Sequence, residues 1–128
     1  MGEPGTRSPL AQARGLGSAR QGVKAWWWER VTAVALVPLM LWLSASLIAL
    51  RGRDYAAVVA WLQEPTAALL LVLSLLALFA HLALGLSVVI EDYVHSFAKM
   101  PSLILARLLC VALCVAGVLA TLSIYFRG

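Results

Sequence analysis

Charge is scarce in this 128-residue chain. Only 12% of its residues are Asp, Glu, Lys or Arg, about half the roughly 25% of an average soluble domain. Hydrophobic residues make up 62%. A small water-soluble fold leaves much of its area exposed and cannot hide that much apolar surface. A soluble single domain is therefore excluded, and so is a disordered chain. Cysteine is scarce too. Cys110 and Cys114 are the only two, too few for a disulfide-stapled secreted scaffold. They lie four apart in an apolar run, share one side of a helix, and read as small apolar packing residues. There is no internal repeat. The class that survives is an all-α integral membrane protein.

Acids are nearly missing from the first 25 residues, where Glu3 stands alone among Gly, Ser, Ala and Arg. No apolar periodicity appears there, and residues 1–25 read as a mobile basic tail ahead of a membrane domain over 26–128. An Arg-rich, acid-poor head also resembles a mitochondrial transit peptide, which keeps the mitochondrial inner membrane as an alternative location. The first apolar run is too long for a secretory signal and lacks a small-residue cleavage site.

What the chain has in abundance is long apolar runs. Val31–Leu50 carries no charge, Thr66–Ile90 only the titratable His81, and Leu103–Phe126 only Arg107. A bilayer core of about 30 Å needs about 20 helical residues, so three transmembrane helices are expected at about 31–50, 66–90 and 103–126. Three strands could not close a barrel. Arg51-Gly-Arg-Asp54 ends the first run. Pro65 suits the first turn of the second helix, and Ser102 after Pro101 is expected to cap the third. Pro38 is expected to kink the first span. Tyr55–Gln63 is expected as a short interfacial helix with Trp61 at headgroup depth. Trp26, Trp27 and Trp28 form an aromatic belt at the membrane entrance.

With three spans the termini face opposite sides. Arg7, Arg14, Arg20, Lys24, Arg30, Lys99 and Arg107 fall on the side of the N-terminus, and Arg51, Arg53 and Arg127 on the other. The positive-inside bias places the N-terminus and the Glu91–Ser102 loop in the cytoplasm of a bacterial inner membrane.

His81 is the outstanding position: it lies nine residues before Ile90, about 13.5 Å along a helix, where a titratable group is expensive and faces protein, ligand or a cavity. Three uses stay open: a neutral core histidine bonded to another helix, a cofactor ligand, or a proton relay. At 100° per residue Ser74, Ala77, His81, Gly85 and Asp92 share one stripe. Ala77 and Gly85 leave a shallow trough on either side of the imidazole. A flat macrocycle held through the ring nitrogen needs such relief, although small residues also serve close helix packing. Cys-x-x-Cys-His is absent, so covalent haem attachment is excluded.

Asp92 and Tyr93 close the second span at the cytoplasmic interface. A phenol beside a carboxylate offers a donor and a proton path to a quinone head group. The same pair also serves as an interfacial anchor with a solvated acid. Tyr93 lies about 120° from His81 around an ideal helix, so the two share one site only if the helix ends near Ile90. Arg30 is either a snorkelling arginine or a partner for a haem propionate or a quinone.

The run from His81 through Gly85 and Asp92-Tyr93 to His95 resembles the second helix of the small, D-type membrane-anchor subunit of succinate dehydrogenase, respiratory complex II. That family has a histidine, a glycine four later, and an Asp-Tyr pair eleven and twelve later. Trp26-Trp-Trp-Glu-Arg-Val-Thr-Ala33 resembles the family's entrance to its first helix, where an Arg precedes a Thr-Ala pair. The similarity spans about Gly22 to Gly128. The resemblance implies a subunit with no flavin or iron–sulfur motif of its own, working with a flavoprotein subunit, an iron–sulfur subunit and a second, C-type anchor in the lipid bilayer. It implies His81 as an axial ligand of haem b shared with the C-type anchor. Ser74, Ala77 and Gly85 would pack the haem, Tyr93 and Asp92 would bind ubiquinone, and Arg30 would lie near the haem propionates and the quinone. A fumarate reductase anchor is the nearest relative of this reading. The alternative from another class is a small proton channel or transporter relaying through His81. It calls for further polar groups at mid-membrane, where the first and third spans offer Ser44, Ser46 and Thr121.

Overall fold

Backbone N–H and C=O groups find no water in hydrocarbon, so an apolar run must bond within itself and becomes a helix. A computed structural model describes the backbone of residues 9–127, with side chains from Val23 onward. It contains α1 (Pro9–Leu50), α2 (Tyr55–Leu62), α3 (Pro65–Tyr93) and α4 (Lys99–Arg127). Three stretches are long and apolar enough to cross a membrane: Val23–Leu50, Pro65–Tyr93 and Lys99–Arg127. The chain is thus an all-helical, multi-pass membrane protein, as the three apolar runs predict. Residues 1–8 of the expected tail lie outside the described residues. The backbone of residues 9–25 is helical and runs on into the first span, so secondary structure does not break at residue 25. α1 is likewise one unbroken helix through Pro38.

The helix ends follow local chemistry. Gly52 takes φ +77° after α1, a left-handed conformation open to glycine without steric cost. Around it the Arg51 N–H reaches the Ile48 carbonyl and the Arg53 N–H reaches the Leu50 carbonyl. Asp54 caps α2, its Oδ1 accepting the Ala57 N–H at 2.9 Å. Pro65 opens α3, where its missing N–H is no loss. The expectation for Ser102 is not met. α4 begins three residues earlier, and the Ser102 N–H already bonds the Ala98 carbonyl at 3.0 Å. The hydroxyl at that helix start belongs to Ser96, which accepts the Ala98 N–H at 3.2 Å. Pro101 falls in the first turn, where no intrahelical N–H bond is required.

α3 is the central element, packed against α1 on one side and α4 on the other, with α2 touching α3 and α4. The buried residues among those described are Ala67, Ala68, Ser74, Ser87, Cys110 and Thr121. All are small, because lipid solvates large apolar side chains as well as protein does, and close backbone approach is what holds membrane helices together. On α4 the covered side runs Cys110, Cys114, Gly117, Thr121, spaced four, three and four. On α1 it runs Thr32, Leu36, Leu39, Leu43, Ser46. Both follow the helical period that keeps one side against α3. Trp61 of α2 stacks on Trp42 of α1 at 5.8 Å, and Gln63 donates to the Ile124 carbonyl at 3.4 Å, tying the far end of the bundle together.

Candidate functional site

The imidazole of His81 is half-buried in the seam between α3 and α1. Its Nδ1 lies 3.0 Å from the hydroxyl oxygen of Thr32. The same hydroxyl lies 2.9 Å from the Trp28 carbonyl and 3.0 Å from the Glu29 carbonyl, one turn back on α1. Nε2 has no hydrogen-bond partner among the described residues. The ring therefore has one nitrogen engaged inside the chain and one left open.

Depth is consistent with an intramembrane site. His81 stands 12 residues from Tyr93, about 18 Å along α3, and 16 residues from Pro65, about 24 Å. On α1 the same level falls one turn past Trp28, through the Thr32 contact. The tryptophan cluster and Arg30 thus lie in the half of the bundle between the imidazole and the Tyr93 end of α3.

The side chains flanking His81 differ in what surrounds them. A methyl built on Gly85, one turn along, would meet no atom within 4 Å. Nothing in this chain requires glycine there, although glycine in a helix costs about 1 kcal/mol relative to alanine. The space beside it is open to something outside the chain. Ala77, one turn the other way, is half-buried. Ser74 is 2% exposed and donates to the Leu70 carbonyl at 2.7 Å, so the stripe is closed at that end by the chain's own packing.

Arg30 shares the level of His81 but not its side. It leaves α1 about 160° around from Thr32. Its guanidinium carbon sits 5.3 Å from the centre of the Trp26 ring, a cation–π distance. With Trp27, Val31 and Val34 it lines a recess of about 260 Å³. Asp92 and Tyr93 are exposed at the end of α3, Tyr93 by 78%. The helix continues through Tyr93, so an end near Ile90, which would have let the two share a site, does not occur. Tyr93 and His81 are two separate places on one helix. His95 is exposed in the loop that follows.

Thr32 was not foreseen as a partner of His81. It is the first hydroxyl inside the first span, which marks it as unusual, but its pairing with a residue 49 positions away has no local signature. Among the described residues no three His, Cys, Asp or Glu side chains gather at one point. One imidazole nitrogen with open space beside it is what the chain offers to an incoming group.

Comparison with known proteins places this geometry. Residues 5–122 match the family described as "Succinate dehydrogenase/Fumarate reductase transmembrane subunit". The chain is 31% identical over 123 residues to the succinate dehydrogenase hydrophobic membrane anchor subunit of Rickettsia bellii (strain RML369-C), covering 95% of this chain and 96% of that protein. It is 29% identical over 125 residues to the subunit of the same description from Rickettsia conorii (strain ATCC VR-613 / Malish 7), with the same shares covered. No solved structure matches the chain.

Proposed function

The chain belongs to the family of succinate dehydrogenase/fumarate reductase transmembrane subunits, as a membrane anchor of succinate dehydrogenase, and we propose that within that enzyme it binds haem b through His81 and helps form the ubiquinone site through Tyr93 and Asp92. As an anchor subunit it associates with the membrane and with the other subunits of the enzyme, and is not a catalyst alone. The specific partners we assign are a flavoprotein subunit, an iron–sulfur subunit and a second, C-type anchor, in a bacterial inner membrane with the N-terminus cytoplasmic. The Rickettsia relatives fit that location.

The observation that carries the haem assignment is the pair of unlike nitrogens on His81: Nδ1 engaged with Thr32, Nε2 open. A bare metal ion needs several ligands from protein, and the described residues gather too few. A porphyrin iron arrives with most of its ligands supplied by the macrocycle and would ask the protein for little more than a nitrogen donor such as that of His81. The open space at Gly85 admits a flat ring close to the helix. The residues present thus fit the group. Bound there, haem supplies a one-electron centre inside the membrane. His81 would hold it from this chain, together with a ligand from the C-type anchor.

For the quinone, Tyr93 contributes a phenolic donor to a carbonyl, and Asp92 a carboxylate able to accept and pass a proton. Both are exposed at the edge of the bundle, where a docked soluble subunit would cover them. Arg30 places a fixed positive charge at the level of His81 on another side of α1. It suits a propionate or quinone oxygen reached from the neighbouring anchor.

Purification of the complex from native membranes tests this. Expected are the three partner subunits and a low-spin b-type haem by pyridine haemochrome. Partners without haem would reduce the chain to a structural anchor. Purified chain that alone conducts protons in liposomes would favour a channel relaying through His81.

A further inference from the structure

Thr32 Oγ1 has three neighbours within hydrogen-bond reach: the Trp28 carbonyl at 2.9 Å, the Glu29 carbonyl at 3.0 Å and His81 Nδ1 at 3.0 Å. A hydroxyl has one proton to give and lone pairs with which to accept. Carbonyl oxygens can only accept. A helical threonine commonly gives its proton back to the preceding turn, and here both carbonyls of that turn converge on it. What then faces the imidazole is an oxygen lone pair, which only a ring N–H can use. The opposite arrangement, with the proton on Nε2, would leave that N–H without an acceptor among the described residues in an apolar seam. An unmatched buried donor costs about 1–3 kcal/mol.

We infer that Thr32 is the positioning residue for His81: its hydroxyl accepts the Nδ1–H, fixes the tautomer, and holds the ring with the Nε2 lone pair aimed away from the α1–α3 contact. The inference rests on the haem-ligand reading of His81 and adds to it a hydrogen-bond partner supplied by another helix. A ligating histidine whose second nitrogen donates a hydrogen bond is oriented and made more basic by that bond. The threonine also links two events, since the ring is correctly aimed only when α1 is seated against α3. The β-branch matters as well. It restricts χ1 in a helix, so the hydroxyl direction is set before the imidazole arrives.

The test compares the purified whole complex carrying wild-type chain, Thr32→Val and Thr32→Ser. Valine keeps the shape and removes the acceptor, and serine keeps the acceptor. Thr32→Val is expected to speed haem transfer to added apomyoglobin by about 10–100-fold, the usual penalty for losing such a partner. It should also raise the haem midpoint potential and shift its low-spin EPR signal, with Thr32→Ser close to wild type in all three. If Thr32→Val matches wild type in all three, Thr32 has no positioning role, while the haem assignment stands. If wild-type complex contains no haem, the haem assignment itself fails. Should the valine variant not assemble, a structure of the wild-type complex decides. Iron on Nε2 with Thr32 Oγ1 within about 3.5 Å of Nδ1 is expected. Iron on Nδ1, or a ring turned away from Thr32, overturns the inference.

Discussion

The two seams that flank α3 differ in what their hydroxyls meet across the helix contact. Between α3 and α4 each hydroxyl is answered by its own helix: Ser74 by the Leu70 carbonyl, Ser87 by Ala83, Thr121 by Gly117. Glycine there is a packing device, since a methyl on Gly117 would lie 3.1 Å from Leu75 Cδ1. Between α1 and α3 the Thr32 hydroxyl, also answered by its own helix, meets an imidazole across the contact, and one turn along α3 a methyl on Gly85 would meet no described atom. The first seam keeps its hydroxyls bonded within the chain and opens on one side as an apolar recess of about 340 Å³ lined by Leu76, Phe79, Ala83, Cys110 and Cys114. The second leaves an imidazole nitrogen and the space at Gly85 without a partner among the described residues, which is where the proposed haem would sit. Small residues and intramembrane polar groups therefore separate packing from function only once their neighbours are known.

The contrast is broken most severely at the two glycines. A Cβ on Gly85 meets no described atom, and Gly85→Leu would extend into the space assigned to the haem. Overpacking costs about 1–3 kcal/mol, a fall of roughly one to two orders of magnitude in haem affinity, read as haem per mole of purified complex. Unchanged haem content would turn Gly85 toward lipid. Gly117→Leu is the mirror experiment. A comparable cost should appear as earlier thermal loss of the assembled complex, while surviving particles keep a wild-type haem spectrum.

Tyr93→Phe sharpens a different contrast, between the middle of α3 and its exposed end. Loss of one hydrogen bond to quinone, about 0.5–1.5 kcal/mol, should slow ubiquinone reduction roughly 2–13-fold. Succinate oxidation by an artificial acceptor should be unaffected, and so should the haem spectrum. Equal loss of both activities would indicate assembly damage. The smallest effect is expected at Ser87, whose hydroxyl donates to the Ala83 carbonyl of its own helix and accepts a long bond, 3.4 Å, from the Arg107 Nε–H. Ser87→Ala should change thermal stability of the complex by about 0.6 kcal/mol or less and leave the haem potential where it is. A displaced potential would mean that the two seams are coupled.

Much of this arrangement could be read along the chain. Apolar runs interrupted by Arg51-Gly-Arg-Asp54 and Met100-Pro-Ser102 locate three spans, because hydrocarbon admits so few backbone solutions. The stripe through Ala77, His81 and Gly85 follows from helical geometry alone. Other features depend on neighbours brought in from elsewhere. Thr32 and His81 meet only because α1 packs on α3, and no spacing rule links residues on separate helices. Gly85 and Gly117 carry the same letter for opposite physical reasons. Ser102 looked like a cap because it follows Pro101, whereas the turn at Ser96 starts the helix earlier. The family resemblance puts Arg30 near the haem propionates and the quinone, but its direction around α1 is set by the side that packs against α3.

The most direct measurement is the reduced-minus-oxidised spectrum of purified complex carrying His81→Ala, taken beside wild type at matched protein. Loss or marked weakening of the low-spin b-haem bands, with succinate oxidation by the soluble subunits retained, is predicted. A spectrum identical to wild type would contradict the assignment of His81 as the axial ligand.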